Sequence, residues 1–445
     1  MGKASESDLV LLLHRYDIKS RLLRNSFINS DINITTLVIE DEGFLPENVL
    51  SVYGYFLGWN DRKDLKKSPK YFNEIDIPEL WKVVADRYKA EIYDYSRLKG
   101  TLTYNERDNT RLVNRAEWYD DNGNVRLIDC YNEYGELFSK ICCDKNGKKV
   151  NRTYFRDNIE IIVENYITGH ILLNYNGRRY VLKNKVALVK MCIEEMKLST
   201  KKFVINSLHY PYNVIKDMDN GVQNILFWQE SIKDEIPRKL KQILQDSGNI
   251  KTYIQDKQAW DRLMQVEGKT EEIEKRGFVY NFLPLRKFKK KIYICTNSDR
   301  LVQVENLIKG LEEYTFIISA RTSMSEKLTS LTVYPNVELY PKIDFDKEEE
   351  LINDCSVYFD INSDSGISGI IERVFIHNML IYGWKDTLHD ERLISDRNVF
   401  ESNQCGDLIA AVKRIKDDRT FLTMIEAQKD CAEIETADSF LCGIV

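Results

Sequence analysis

Two carboxylates set the chemical question. Asp364 and Glu372 bracket the segment DSGISGIIE, which follows the apolar run Val357 to Ile361 and precedes a second apolar run, Met379 to Tyr382. Between the runs lie a Ser/Asp/Gly loop, Asn362 to Gly366, and the helically spaced Ile370, Ile371, Val374 and Phe375. The spacing predicts strand, loop, helix (about 368–378) and strand, one βαβ unit of a parallel sheet covered on both faces. A loop at the carboxyl end of such a strand, opening into a helix, is where these sheets hold phosphate-bearing ligands, and Ser365 and Gly366 are the candidate amide donors. His209, in NSLHYPY after another apolar run, is a second candidate, although a lone His beside Tyr also serves as a structural hydrogen-bonding group. No GxSxG, HExxH, phosphate loop or GxGxxG occurs. The five histidines lack HxxxH or HxH spacing, so no metal site is expected.

The elements that must position these residues fall into three stretches. Residues 1–45 read as a helix followed by the strand Thr36 to Glu40. From about residue 186, helical spacing alternates with the apolar runs KFVI and NILFW, then with a short strand at Thr252 to Ile254 and a charged helix from Lys257 to Arg276. This is the α/β rhythm of residues 1–45 resuming after an interruption. A second α/β stretch begins near Lys291, with strands at 292–296, 315–319, 337–340, 357–361, 379–383 and 398–400, helices between them and a helical tail near 421–432. The expected domains are 1–45 with 186–285, an insertion over 46–185, and 286–445.

Within the insertion the period drops to two. Asn122-Gly123, Tyr134-Gly135 and Asn146-Gly147 recur every twelve residues, and Asn176-Gly177 adds another pair. Asn-Gly favours a type I′ hairpin because both central residues need positive φ, so the repeat predicts an antiparallel meander of roughly five-residue strands. Its aromatics, Trp118, Tyr119, Tyr131, Tyr134 and Tyr154, fit two readings. They are cross-strand packing on an ordinary sheet, or they mark a platform whose open edge or face pairs with another chain.

Composition narrows the class. At 445 residues the chain can build two or three domains. A net charge of -6 and a pI near 5.7 argue against general nucleic-acid binding. The basic run Arg286 to Lys291 reads as a solvated linker capping a strand. The start MGKASESD is no export signal and no apolar run reaches 18 residues, so no membrane span is expected. Nine scattered cysteines without a CxxC pair point to a reduced, cytoplasmic protein.

Five segments carry a family likeness: LVIEDEGFLPENVLSVYGYFLG, IVENYITGHILL, NILFWQE, YFDIN and GWKDTLHD. With them the chain resembles the non-catalytic stabilising subunit of the two-protein UDP-GlcNAc:peptide O-GlcNAc transferase of the accessory Sec system, which glycosylates serine-rich repeat adhesins. The resemblance implies an α/β, glycosyltransferase-B-like body of two Rossmann-like domains with an inserted antiparallel extended β-sheet domain. It implies a catalytic transferase subunit as partner in a hetero-oligomer (a heterotetramer in the family), the adhesin polypeptide as acceptor, and a cytoplasmic site that extends to peripheral contact with the inner face of the cell membrane. It implies no cofactor, no metal and no catalytic residue.

In active members of that fold a Glu, seven residues and a second Glu hold the donor sugar and ribose, and here Asp364 and Glu372 keep the separation. The leaving diphosphate is met there by an Arg and a Lys in a pattern like GRLxxxKGxxxLI, because charge builds on it in the transition state. Aligning TNSDRLVQVENLI on Leu307-Ile308 puts Asn297 and Val302 at those positions, and neither carries charge. Asn297, Val302, Asp364, Ser365, Gly366 and Glu372 are therefore expected to form a degenerate donor site. His209, Tyr210 and Asn362 are the acceptor candidates, since Tyr and Asn suit a Ser-rich extended chain. The five meander aromatics are the partner candidates. Two rivals remain: an active retaining transferase using UDP-GlcNAc, with Arg300 on the diphosphate, and a homo-oligomeric scaffold.

Overall fold

The computed structural model of the chain describes residues 8–60, 67–86, 89–105, 111–216, 218, 221–232, 235–245, 250–266, 273–364 and 366–444. It divides into two units, Met1–Arg276 with Leu441–Val445, and Gly277–Phe440. Among the described residues no helix is long and apolar enough to cross a membrane.

The first unit opens on a strand, not the expected helix: β1 is Leu9–Leu13, with all five side chains buried. A strand covered on both faces is apolar throughout, and five residues are too few to show a helical period. The helix Ile18–Asn29 follows, capped by the Asp17 carboxylate, which accepts from Ser20 N at 2.8 Å. Next come β2 (Thr35–Val38) and β3 (Val49–Ser51), then the helix Val52–Leu57, which stops at left-handed Gly58. Because β3 pairs parallel with β2, the parallel sheet runs past residue 46, where the insertion was expected to begin.

Ten antiparallel strands follow in simple succession: β4 (Lys82–Ala85), β5 (Lys89–Asp94), β6 (Arg97–Tyr104), β7 (Val113–Tyr119), β8 (Val125–Tyr131), β9 (Leu137–Cys143), β10 (Lys149–Arg156), β11 (Ile159–Asn165), β12 (Ile171–Tyr175) and β13 (Arg178–Leu182). The meander is thus as expected, but three of its turns are not. Asn122, Tyr134 and Asn146 keep negative φ, and only the glycine after each is left-handed. In each turn an Asx three residues before the glycine holds the loop. Asp120 Oδ1 accepts from the amides of Asn122 and Asn124, Asn132 Oδ1 from Tyr134 and Glu136, and Asp144 Oδ1 from Asn146 and Lys148. The repeating unit is Asx-x-x-Gly, a type I turn closed by a glycine bulge. Asn176-Gly177 is the one expected pair with positive φ at both residues. Asp157-Asn158 makes a like turn without glycine.

The chain then returns to the parallel sheet with β14 (Lys202–Ile205), β15 (Asn224–Trp228), β16 (Ile250–Ile254) and β17 (Ile273–Lys275), giving the order β17-β16-β15-β14-β1-β2-β3. The expected helix Lys257 to Arg276 ends at Val266, and the sequence IEK is β17. One core joins both sheets: Val10, Leu37 and Ile205 share it with Ile128, Phe138, Tyr154 and Ile162 of the meander. Tyr53 and Tyr154 stack at its centre, 4.3 Å apart and 15° from parallel. Strands β5–β8 have a separate small core of Ile92, Leu102, Val113 and Tyr131 packed with Ile75.

The second unit is a six-stranded parallel sheet of β18 (Lys291–Cys295), β19 (Thr315–Ala320), β20 (Val337–Pro341), β21 (Val357–Asp360), β22 (Leu380–Trp384) and β23 (Val399–Phe400). The order β20-β19-β18-β21-β22-β23 reverses direction beside β18 and β21, so their carboxyl-end loops are the ligand-binding position of such a sheet.

Candidate functional site

In the second unit the loops after β18 and β21 are laced together. Val302 N donates to Ile361 O at 2.9 Å and Ser363 N to Arg300 O at 3.0 Å, while Leu301 and Asn362 form an antiparallel bridge. Asn362 is the pin: its Nδ2 donates to Asn297 Oδ1 at 2.8 Å, and its Oδ1 accepts from Ser298 Oγ at 2.7 Å and Asp364 N at 3.2 Å. With both ends of its amide engaged and 4% exposure, Asn362 braces loops and presents no surface to an acceptor. Val302 packs against the core, and its carbonyl receives Trp384 Nε1 at 3.0 Å. Arg300 points to solvent.

The loop that would meet phosphates is filled by a histidine. His389 Nδ1 lies 2.5 Å from Asp360 Oδ1, its Nε2 lies 2.8 Å from Asp364 O, and its backbone N donates to Asp360 Oδ2 at 2.8 Å. Burial opposes charge on this ring, but the Asp360 carboxylate and the Asp364 carbonyl outweigh it and raise the His389 pKa. The ring covers Gly366 so closely that a Cβ there would sit 2.4 Å from His389 Cδ2. Asp364 and Glu372 take the loop and the first turn of the helix Ile370–Ile376, as the spacing predicts. Ser365, the remaining candidate of this loop, lies outside the described residues.

Nearby cations are already engaged. Arg321 and Arg373 both hold Glu348, a fully buried carboxylate. Arg373 also reaches Glu349 at 2.6 Å, and Arg392 grips Asp390 through Nε and Nη2. Burial would raise the Glu348 pKa, and these two guanidinium groups bring it below the ordinary value instead. Positive charge in this unit thus serves internal carboxylates.

In the first unit, the loops after β1, β2 and β14 bring together groups the sequence gave little reason to join. His209 stacks on His14 with ring centres 4.7 Å apart, and Tyr210 meets both edge-on. Burial, then the neighbouring His14, lowers the His209 pKa. Beneath them Lys185 Nζ sits 2.9 Å from Glu40 and 3.0 Å from Glu164, and 5.1 Å from the Tyr210 ring centre. Glu40 also takes Arg15 at 2.9 Å. Burial would raise the Glu40 pKa, and hydrogen bonds from His14, Lys185 and Arg15 with the Lys185 charge hold it far below the carboxylate range. Sequence reasoning found His209 and Tyr210 but missed His14, Glu40, Lys185 and Glu164. The signal was position: His14 directly follows β1, and Glu40 lies just past β2.

The meander aromatics divide. Tyr131 and Tyr154, expected at a partner surface, are core residues instead, 6% and 2% exposed, because their strand faces pack inward. Trp118 and Tyr119 are half-buried and tied within the sheet, Trp118 Nε1 to Asp129 Oδ2 at 2.9 Å and Tyr119 Oη to Thr101 Oγ1 at 3.0 Å. Tyr134 is half-buried in a turn. Exposed apolar residues lie elsewhere, at Leu80, Val84 and Tyr95 near the β4 edge and at Val181 on β13.

Four family models match in succession: the GtfB N-terminal domain over 10–56, the GtfB middle domain over 81–183, the GtfB third domain over 185–266, and the GftB/GlyA-F C-terminal domain over 292–428. The chain is 34% identical over 438 residues to the UDP-N-acetylglucosamine–peptide N-acetylglucosaminyltransferase stabilising protein GtfB of Streptococcus agalactiae, covering 97% of this chain and 98% of that one. It is 30% identical to the GtfB stabilising protein of Streptococcus gordonii, covering 91% of each. A chain in the crystal structure of a GtfA/B complex bound to UDP and GlcNAc matches with a TM-score of 0.87 at 28% identity, over 97% of this chain and 98% of that one. The fold is the expected one, α/β and glycosyltransferase-B-like with a long antiparallel sheet. With a third of its residues identical over nearly the whole length of both chains, the protein belongs to the GtfB family, the stabilising proteins of UDP-N-acetylglucosamine–peptide N-acetylglucosaminyltransferases.

Proposed function

We propose that the chain is a non-catalytic subunit that stabilises a protein O-GlcNAc transferase and helps hold its acceptor. One observation carries the non-catalytic part: the two positions that supply cations to a leaving diphosphate in active relatives of the fold are Asn297, bonded to Asn362, and Val302, half-buried against the core. The His389 ring, held by Asp360, covers Gly366 at the position where the loop would meet a nucleotide phosphate. Kinship of the chain with named stabilising proteins and with a chain of a GtfA/B complex supports a catalytic transferase as the partner.

The ten-stranded insertion is the docking element in this reading. Its edge strands β4 and β13 carry unpaired backbone groups beside exposed Val84 and Val181, which suits edge pairing with a second sheet. Trp118 and Tyr119 on β7 and Tyr134 between β8 and β9 lie inside the sheet, so they would meet a partner through its face and not its edges, and His209 with Tyr210 offers the acceptor an aromatic surface. The acceptor is an extended, Ser-rich adhesin polypeptide, and the complex works in the cytoplasm, at the inner face of the membrane. Nine cysteines outside any disulfide accord with that compartment. The domain division is two α/β units, the first interrupted by the antiparallel insertion.

Titrating the purified chain with UDP-GlcNAc by calorimetry, beside co-expression with the catalytic subunit, tests the reading. No saturable heat and a gain in soluble transferase are expected. Saturable binding with turnover by this chain alone would make it the active transferase.

A further inference from the structure

We infer that the first unit holds an oxyanion-binding site, unrelated to the degenerate donor loop, centred on Arg152. A cavity of about 510 Å3 lies among the loops after β1 and β2, the start of the helix Lys185–Glu195 and the inner face of β7–β11. Its position is that of a ligand site in a parallel sheet, because the strand order turns between β1 and β14.

The charge around it does not cancel. The lining carboxylates Glu40 and Glu164 are taken by Lys185, with Arg15 also on Glu40, and Asp41 accepts from the amide of Gly43. Glu42 points to solvent. Arg152, by contrast, has no carboxylate partner among the described residues. Its Nε donates to Ser139 Oγ at 3.0 Å, and its guanidinium packs beside the rings of Tyr154 and Phe138, 4.6 Å and 5.7 Å from their centres. Those contacts hold the side chain in the cavity wall, and its terminal nitrogens have no hydrogen-bond partner among the described residues.

Two more cations share the wall. Lys149, three residues before Arg152 on β10 with a register shift between Lys149 and Asn151, is exposed at the rim and pairs with no carboxylate among the described residues. Arg115 binds Glu117 through Nη2 at 2.6 Å, and its buried Nε has no hydrogen-bond partner. A guanidinium packed beside two rings and without a carboxylate partner among the described residues, in a cavity with a second cation, is the arrangement that takes a phosphate or carboxylate bidentately. The ligand is a small molecule carrying one such group.

The test uses the full-length chain. Thermal unfolding is followed while inorganic phosphate or malonate is added, with sodium chloride matching ionic strength in every sample. A saturable rise in Tm with one anion and none with chloride is expected, and which anion saturates tells a phosphate ligand from a carboxylate one. Arg152→Gln should weaken that anion at least tenfold, as read from the midpoint of the titration. Lys149→Gln, at an exposed site that folding does not need, should weaken it several-fold, whereas Lys183→Gln outside the cavity should not. An equal response to chloride, or midpoints unchanged in both Arg152→Gln and Lys149→Gln, would overturn the assignment.

Discussion

Replacing Lys185 with Met tests whether one buried ammonium joins the parallel sheet to the inserted one. Lys185 reaches Glu40 beyond β2 and Glu164 on β11, with the lysine and Glu164 side chains 9% and 8% exposed. Taking one partner from a buried ion pair costs about 3–5 kcal/mol, mostly because the remaining charge is stranded. Glu40 keeps Arg15 and His14, so Glu164 alone loses the one cation paired with it among the described residues and retains the Tyr53 hydroxyl at 3.3 Å. The expected cost is therefore at the low end, about 3 kcal/mol. Adding Glu164→Gln removes the stranded charge and should return about 2 kcal/mol of that loss. Because a chain of this size does not unfold in one step, amide hydrogen exchange of β11 and the helix Lys185–Glu195 is the suitable assay. A loss below about 1 kcal/mol, or no recovery in the double variant, would refute the view that this triad ties the sheets.

Three further outcomes follow from the same kind of accounting. The His389 imidazole should titrate above the ordinary 6.5 in an NMR pH series, and Asp360→Asn should bring it down. Since the folded pKa is the raised one, the stability it contributes is complete below pH 6.5 and is lost as pH rises through the folded value, and a titration at or below 6.5 would contradict the geometry. Gly277→Ala places a Cβ 1.9 Å from Glu433 O, a backbone atom that cannot swing aside, so the second unit should lose about 1–3 kcal/mol in denaturant unfolding. Tyr154→Ala empties the stack on Tyr53 and should cost about 3–5 kcal/mol, read from exchange of β9 and β10, whereas a surface role for Tyr154 would leave exchange unchanged.

By itself the sequence determined whatever rests on local backbone preference and period. The twelve-residue spacing specified a meander, since each Asx and glycine closes its own turn with bonds to residues two and four further on. The apolar runs named most parallel strands, and the replacement of cations at Asn297 and Val302 could be read from one segment. Hairpin type was only half legible, because Asx capping of the turn amides competes with the positive φ that Asn-Gly invites. Tertiary structure decided what depends on partners far along the chain. It set Leu9–Leu13 inside the sheet, pairing Leu9 with Lys202, 193 positions later, and Val10 with Thr35, 25 positions later. It turned Tyr131 and Tyr154 inward, put His389 over Gly366, and gave Lys185 two carboxylates while leaving Arg152 with none. Alternation says that a side chain faces one of two sides, and only packing against distant elements says which side is buried and which charge is met.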